Sequence, residues 1–180
     1  PAGVLGLLQA ELSGAIARQI DLAVLHGRQA SNGAALSGGV EFINQTTNRV
    51  ELTTANAADN ELWGGYGLVV NGANGNDFNG FALDPRLVFT LANARDSAGR
   101  RLNPDINMGS AVSSYAGQPV AVSKTVSGQV DASADTNVRG FGGDWNALKF
   151  GYALDMFTKK IEYGDPFGNG DLQRRNSVAY

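Results

Sequence analysis

Apolar residues recur at helical spacing in the first 27 positions: Leu5, Leu8, Leu12, Ile16, Ile20 and Ala23 form one stripe, widened by Leu22 and Leu25. Gln9, Glu11, Ser13 and Arg18 keep the far side polar, and Gly27 stands where a helix often ends in the left-handed conformation. The pattern predicts a helix over residues 3–27 whose stripe faces a core, with docking of a partner helix as the alternative. Residues 30–39 are rich in Ser, Asn, Gly and Ala and read as loop. The runs 40–43 and 50–53 flank Gln45-Thr46-Thr47-Asn48 and predict a small hairpin. Asp59-Asn60-Glu61 then opens a second helix carrying Leu62, Trp63, Tyr66, Val69 and Val70. Gly64, Gly65 and Gly67 each weaken it by about 1 kcal/mol relative to Ala, so it is expected to lie packed against something.

The middle of the chain is the most strongly punctuated. Phe81-Ala82-Leu83 predicts a short buried strand, Asp84 a helix N-cap, and Pro85 the first helical residue, where a missing N–H costs nothing. Leu87, Val88, Leu91 and Ala92 share the inward face, Arg95 is placed to complement the helix dipole, and Asp96-Ser97-Ala98-Gly99 forms the closing turn. Further on, Pro119-Val120-Ala121-Val122 predicts a strand and residues 125–136 a polar loop. Phe141-Gly142-Gly143-Asp144-Trp145 is a glycine-flanked segment able to pass close to other backbone. Residues 148–152 and 157–163 predict antiparallel strands, with a loop at 164–171 and a last alternating run at 176–180. No fixed period repeats. The elements together predict an α+β fold.

At 180 residues the chain has the size of one domain, or of one large domain with extensions, and needs no disulfide or metal staple. Its 24 glycines are roughly twice the usual share and, lying beside Asn, Asp and Ser, specify tight loops between apolar elements. A net charge of −3 argues against a dedicated nucleic-acid binder. No run is long and apolar enough to span a bilayer, and no signal-peptide pattern opens the chain. The absence of cysteine excludes thiolate catalysis and thiolate metal sites. Pro1 at one end and the unpunctuated Asn176-Ser177-Val178-Ala179-Tyr180 at the other lead us to expect a fragment of a larger protein.

Candidate chemistry is sparse. His26, the single histidine, sits in the last turn of a helix, where capping is a commoner role than catalysis, and no Gly-x-Ser-x-Gly elbow accompanies it. Asn74-Gly75-Asn76-Asp77, and Asp165 with Asn169-Gly170-Asp171, are explained by turn chemistry better than by calcium. The glycine pairs match no phosphate-binding fingerprint. Catalytic, cofactor and metal residues are therefore not assigned. Arg86, Arg95, Arg100 and Arg101 cluster around one helix and its turn, and bridging to acids such as Asp96 or Asp105 of a neighbouring subunit competes evenly with a solvated face. Lys159-Lys160 and Arg174-Arg175 fit protective charges on strand edges as well as a face toward DNA.

The ordered set Asp84-Pro85-Arg86, Asp96-Ser97-Ala98-Gly99-Arg100, Gly117-Gln118-Pro119-Val120 and Gly143-Asp144 resembles the tailed-phage major capsid proteins of the Johnson (Hong Kong 97-type) fold. The resemblance implies a mixed α/β wedge. Residues of about 1–140 would form mainly the axial domain, and about 141–180 the strands returning to the peripheral domain. The N-terminal arm, extended loop and spine helix would lie outside the chain. It also implies a non-catalytic shell subunit of the virion, assembled in the bacterial host cytoplasm. Its partners would be identical copies in hexamers and pentamers, with packaged double-stranded DNA contacted only indirectly and no membrane. The chain alone is then expected to be a monomer or weak oligomer. An encapsulin-like compartment shell is the alternative within that fold. A carbohydrate-binding or hydrolase domain is the alternative outside it, and would require paired carboxylates and an aromatic platform near Trp63 or Trp145.

Overall fold

Four short strands share one mixed sheet in the order β2-β3-β1-β4, namely β1 (Gly80–Leu83), β2 (Ser114–Tyr115), β3 (Gln118–Val122) and β4 (Gly140–Gly143). The computed structural model describes residues 2–54, 56–107, 111–131, 133–149, 151, 164, 165 and 168, with backbone alone for 2–5 and 9. It divides into units Pro1–Leu148 and Lys149–Tyr180, and the elements named here belong to the first. Strand β1 pairs in parallel with β3 (Ala82 opposite Ala121) and antiparallel with β4 (Ala82 opposite Phe141). Strands β2 and β3 form a hairpin whose two turn residues, Ala116 and Gly117, have φ of 49° and 80°, the sense that matches strand twist.

Three α-helices accompany the sheet among the described residues: α1 (Ala2–His26), α2 (Ala58–Val70) and α3 (Pro85–Asn93). The expected inward face of α3 is observed, with Leu87, Leu91 and Ala92 buried and Val88 partly so. These residues meet Phe81 and Leu83 of β1, Ala58, Ile106 and Tyr115 in the main core. Gly142 in β4 faces the rings of that core. A Cβ there would stand 2.8 Å from Phe78 Cε2 and Cζ, so the close approach expected of this segment is to rings as well as to backbone.

The stripe of α1 does not behave as one face. Leu22 and Leu25 are buried, but Leu7, Leu8 and Leu12 are 65%, 63% and 52% exposed, so only the C-terminal half is core. That half packs on two 3-10 turns, Ile43–Gln45 and Lys124–Ser127. The first turn replaces the expected hairpin, and residues 40–42 and 46–54 form no strand pair. Their apolar side chains serve different partners. Phe42 lies under Gly27, Leu52 joins the main core, and Arg49 bonds the carbonyls of Asn44 and Thr46. The second turn corrects the polar-loop reading of 125–136. Ser123 caps it through Thr125 N, and Thr125, Val126 and Ser127 are buried. Helix α2 starts at Ala58, near the expected place, but only Ala58 is buried, with Leu62 partly so; Trp63, Leu68 and Val70 are exposed. Residues 144–148 close a turn through Ala147 N to Asp144 O and Leu148 N to Trp145 O. Of the strand expected at 148–152, residues 148, 149 and 151 show no strand pairing and the other two lie outside the described residues. The strands expected at 157–163 and 176–180 lie outside the described residues.

His26 joins α1 to both turns. Its Nε2 donates to the Val126 carbonyl at 2.9 Å, Nδ1 accepts from Asn44 Nδ2 at 3.3 Å, and Phe141 meets its ring edge-on at 5.6 Å. Both nitrogens are thus satisfied in one neutral tautomer. Burial lowers the imidazole below its ordinary value, and the nearby Arg28 charge acts in the same sense, while the Val126 carbonyl partly offsets them. A lowered folded-state value means that the stability contributed is present above the unfolded-state value of about 6.5 and is lost as pH falls below it. We expect the urea midpoint of the chain to drop between about pH 7 and 5, above the range of ordinary carboxylates, and the drop to vanish in His26→Gln. A flat profile in the unsubstituted chain would refute this.

Gly27 offers a sharper steric test. Its φ is +63°, and a Cβ would stand 2.3 Å from Phe42 Cδ1. Gly27→Ala should lose about 2 kcal/mol or more, read from chemical denaturation. The same change at Gly64, where nothing lies within 4 Å, should stabilise α2 by roughly 0.5–1 kcal/mol.

Candidate functional site

Asp84 terminates β1 and opens α3. Its carboxylate, 1% exposed, accepts from Arg86 N at 2.8 Å, which is the N-cap bond expected from Asp84-Pro85. The Arg86 side chain folds back on the same carboxylate, with Nε 2.9 Å from Oδ1 and Nη2 3.2 Å from Oδ2. Arg86 Nη1 also donates to Asp135 Oδ2 at 2.6 Å, and Arg139 grips Asp135 through Nη1 and Nη2 at 3.0 and 3.3 Å. Asp84 N donates to the Arg139 carbonyl, so backbone and side chains close one network. Burial alone would raise the Asp84 carboxyl, but the Arg86 bonds carry it below its ordinary value. The Arg139 guanidinium likewise holds Asp135 well below the carboxylate range, and Asp84 and Asp135 raise Arg86.

Arg86 is therefore an internal clamp. Asp135 and Arg139, which complete it, escaped sequence reading because 49 residues separate Asp135 from Arg86 and no local pattern marks either. Arg86→Ala should cost about 2–4 kcal/mol, because it leaves the Asp84 carboxylate buried without its main partner. Arg100→Ala, at a guanidinium with 82% side-chain exposure, should leave the thermal midpoint nearly unchanged. Equal losses for the two variants in thermal denaturation would contradict this assignment.

The other predicted arginines meet at the turn after α3. Arg95 and Arg101 face each other in an isolated antiparallel bridge, and Leu102 N closes on Ala94 O. Asp96 Oδ1 accepts from Ala98 N and Arg100 N at 2.9 and 2.8 Å, Arg100 Nε reaches Asp96 Oδ2 at 2.9 Å, and Gly99 adopts φ +80°. The Arg100 bonds, backbone first, hold Asp96 below its ordinary value. Arg95 does not cap α3 with its guanidinium; Nη1 donates to Gly99 O within the turn, while its backbone N bonds Asn56 Oδ1. The outcome is a braced loop carrying three exposed guanidinium groups. Asp96 is occupied by its own loop, and Asp105 is exposed and pairs with none of these arginines.

Two hollows open on the surface of the described residues. One, of about 330 Å³, is lined by Leu52, Thr53, Thr54, Thr90, Arg86 and Arg139. The other, of about 160 Å³, has Trp63, Tyr66, Phe81, Tyr115 and Gln118 on its walls. It lies on a ladder of rings from Trp63 through Tyr66, Phe78 and Phe81 to Tyr115, with centroid steps of 5.6, 5.1, 4.6 and 5.9 Å. The Tyr115 hydroxyl donates to Asp59, and burial together with that carboxylate raises it. Neither lining contains a pair of carboxylates. No group of three or more metal-ligating side chains comes together among the described residues. No helix among them is long and apolar enough to cross a membrane.

The chain is similar to a chain in a solved structure of Gordonia phage Cozz, with 59% identity over 99% of its length and a TM-score of 0.84. It also resembles one of Mycobacterium phage Ogopogo, with 37% identity over 98% of its length and a TM-score of 0.77. These likenesses place it among bacteriophage proteins. It spans 57% and 60%, respectively, of those two chains. No protein-family model and no curated protein matches the sequence.

Proposed function

We propose that this chain is part of a tailed-phage or prophage major capsid protein, a structural subunit repeated as hexamers and pentamers in an icosahedral shell around double-stranded DNA. The observation that carries the reading is 59% identity across 99% of the chain to a chain of a solved phage structure, joined to the ordered turn and strand motifs of its middle third. An encapsulin-like compartment is the alternative within that fold, but the two solved structures named above are of phage.

The surface suits that role. Rings of identical subunits are built from heterologous contacts, in which a projection on one copy meets a different surface on the next. The braced turn supplies such a projection with Arg95, Arg100 and Arg101, and arginine is favoured where carboxylates are met across an interface. Arg86 engages three of its five N–H donors internally, which favours the other three arginines as the subunit contacts, and Asp105 is exposed as an acidic counterpart. The test is electron microscopy of the full-length protein after expression. Closed shells are expected, and a strictly monomeric product would overturn the reading. Replacing Arg95, Arg100 and Arg101 together by Glu should suppress shell formation while leaving the thermal midpoint of the subunit within a few degrees.

A further inference from the structure

Four Asn-Gly pairs lie within the described residues: Asn32-Gly33, Asn71-Gly72, Asn74-Gly75 and Asn79-Gly80. At such a pair a chain can react with itself, because glycine has no Cβ to keep its backbone nitrogen from the preceding carboxamide. The reaction needs an unengaged glycine N–H, an unpinned carboxamide and a backbone free to rotate.

Three of the pairs are guarded. Gly33 N donates to Gln29 O at 2.9 Å, and Asn32 Oδ1 accepts from Ala34 N. Gly72 N donates to Val69 O at 3.1 Å directly after α2. Asn79 is held at both ends, Nδ2 on Asp144 Oδ1 at 2.7 Å and Oδ1 on Trp145 N at 2.9 Å, and Gly80 is already in β1. Asn74-Gly75 is held less than any of them. Both residues are exposed, the Asn74 side chain has no hydrogen-bond partner among the described residues, the Gly75 N–H makes only a loose turn contact to the Gly72 carbonyl, and no atom lies within 4 Å of a Cβ placed on Gly75.

We propose that Asn74 is a site of spontaneous covalent modification with water as the only co-reactant. Hydroxide removes the Gly75 N–H proton, the nitrogen adds to Asn74 Cγ, the Cγ–Nδ2 bond breaks and ammonia leaves after taking a proton from solvent. Water then opens the succinimide at either carbonyl, giving aspartate or isoaspartate, and no electrons change hands. The product places a second negative charge near Asp77 in the link between α2 and β1, and isoaspartate lengthens the main chain there by one methylene. Residues 71–77 are all exposed, so the link can absorb that change without moving the core. At Asn79 the same chemistry would break the bond to Asp144 at the mouth of β1.

The test is incubation of the intact chain in mildly alkaline buffer, folded and in concentrated urea, with peptide mapping by mass spectrometry and enzymatic labelling of isoaspartate. Asn74 should convert at about the same rate in both conditions, while Asn79, Asn32 and Asn71 convert about tenfold or more slowly when folded, because they must first open locally. Asn74→Gln should abolish the dominant product and leave the other three rates unaltered. Equal suppression at all four sites in the folded chain, or faster conversion at Asn79 than at Asn74, would overturn the proposal, and this comparison requires no variant.

Discussion

The buried carboxylate of Asp84 is the constraint around which the first unit is organised. It lies where β1 stops and α3 starts, and its side chain satisfies the first turn of the helix while its backbone N–H is tied to Arg139. A carboxylate at 1% exposure is tolerable only with partners of opposite charge and good geometry, and Arg86 supplies both. Because Arg86 also binds Asp135, the segment before β4 is fixed by the same charge that fixes α3. The direction of α3 in turn sets where the arginine turn projects.

A second junction does similar work close by, across the Lys124–Ser127 turn, with neutral groups. His26 replaces an ion pair by two hydrogen bonds that only the uncharged ring can make together, and Gly27 lets the chain leave α1 against the Phe42 ring. One junction is thus held by charge and the other by its absence. The apolar core beside them is modest, which makes these polar joints matter more than in a larger domain.

What could be read from the sequence was local. Asp84-Pro85 marked the start of α3, the spacing of Leu87, Leu91 and Ala92 marked its buried face, and Asp96 with Gly99 marked the turn. What could not be read was which distant residue would answer each local feature. Alternation around Phe42 and Leu52 looked like a hairpin because a pattern records that a side chain is apolar, not which partner will bury it. The stripe of α1 likewise says nothing of where along the helix a covering surface ends. Arg95, Arg100 and Arg101 lie close in sequence and meet at one turn, whereas Asp135, the partner of Arg86, lies far along the chain and left no local trace.

The strand order carries a consequence for how the molecule comes into being. Strand β1 is central, yet both neighbours, β3 and β4, come later in the chain, and the pairing with β3 is parallel. During synthesis the backbone edges of β1 leave the ribosome well before β3 and β4 can pair with them, and closing such long-range pairs is intrinsically slow. Unpaired strand edges of that kind favour association between nascent chains, and that is the stage at which chaperones act.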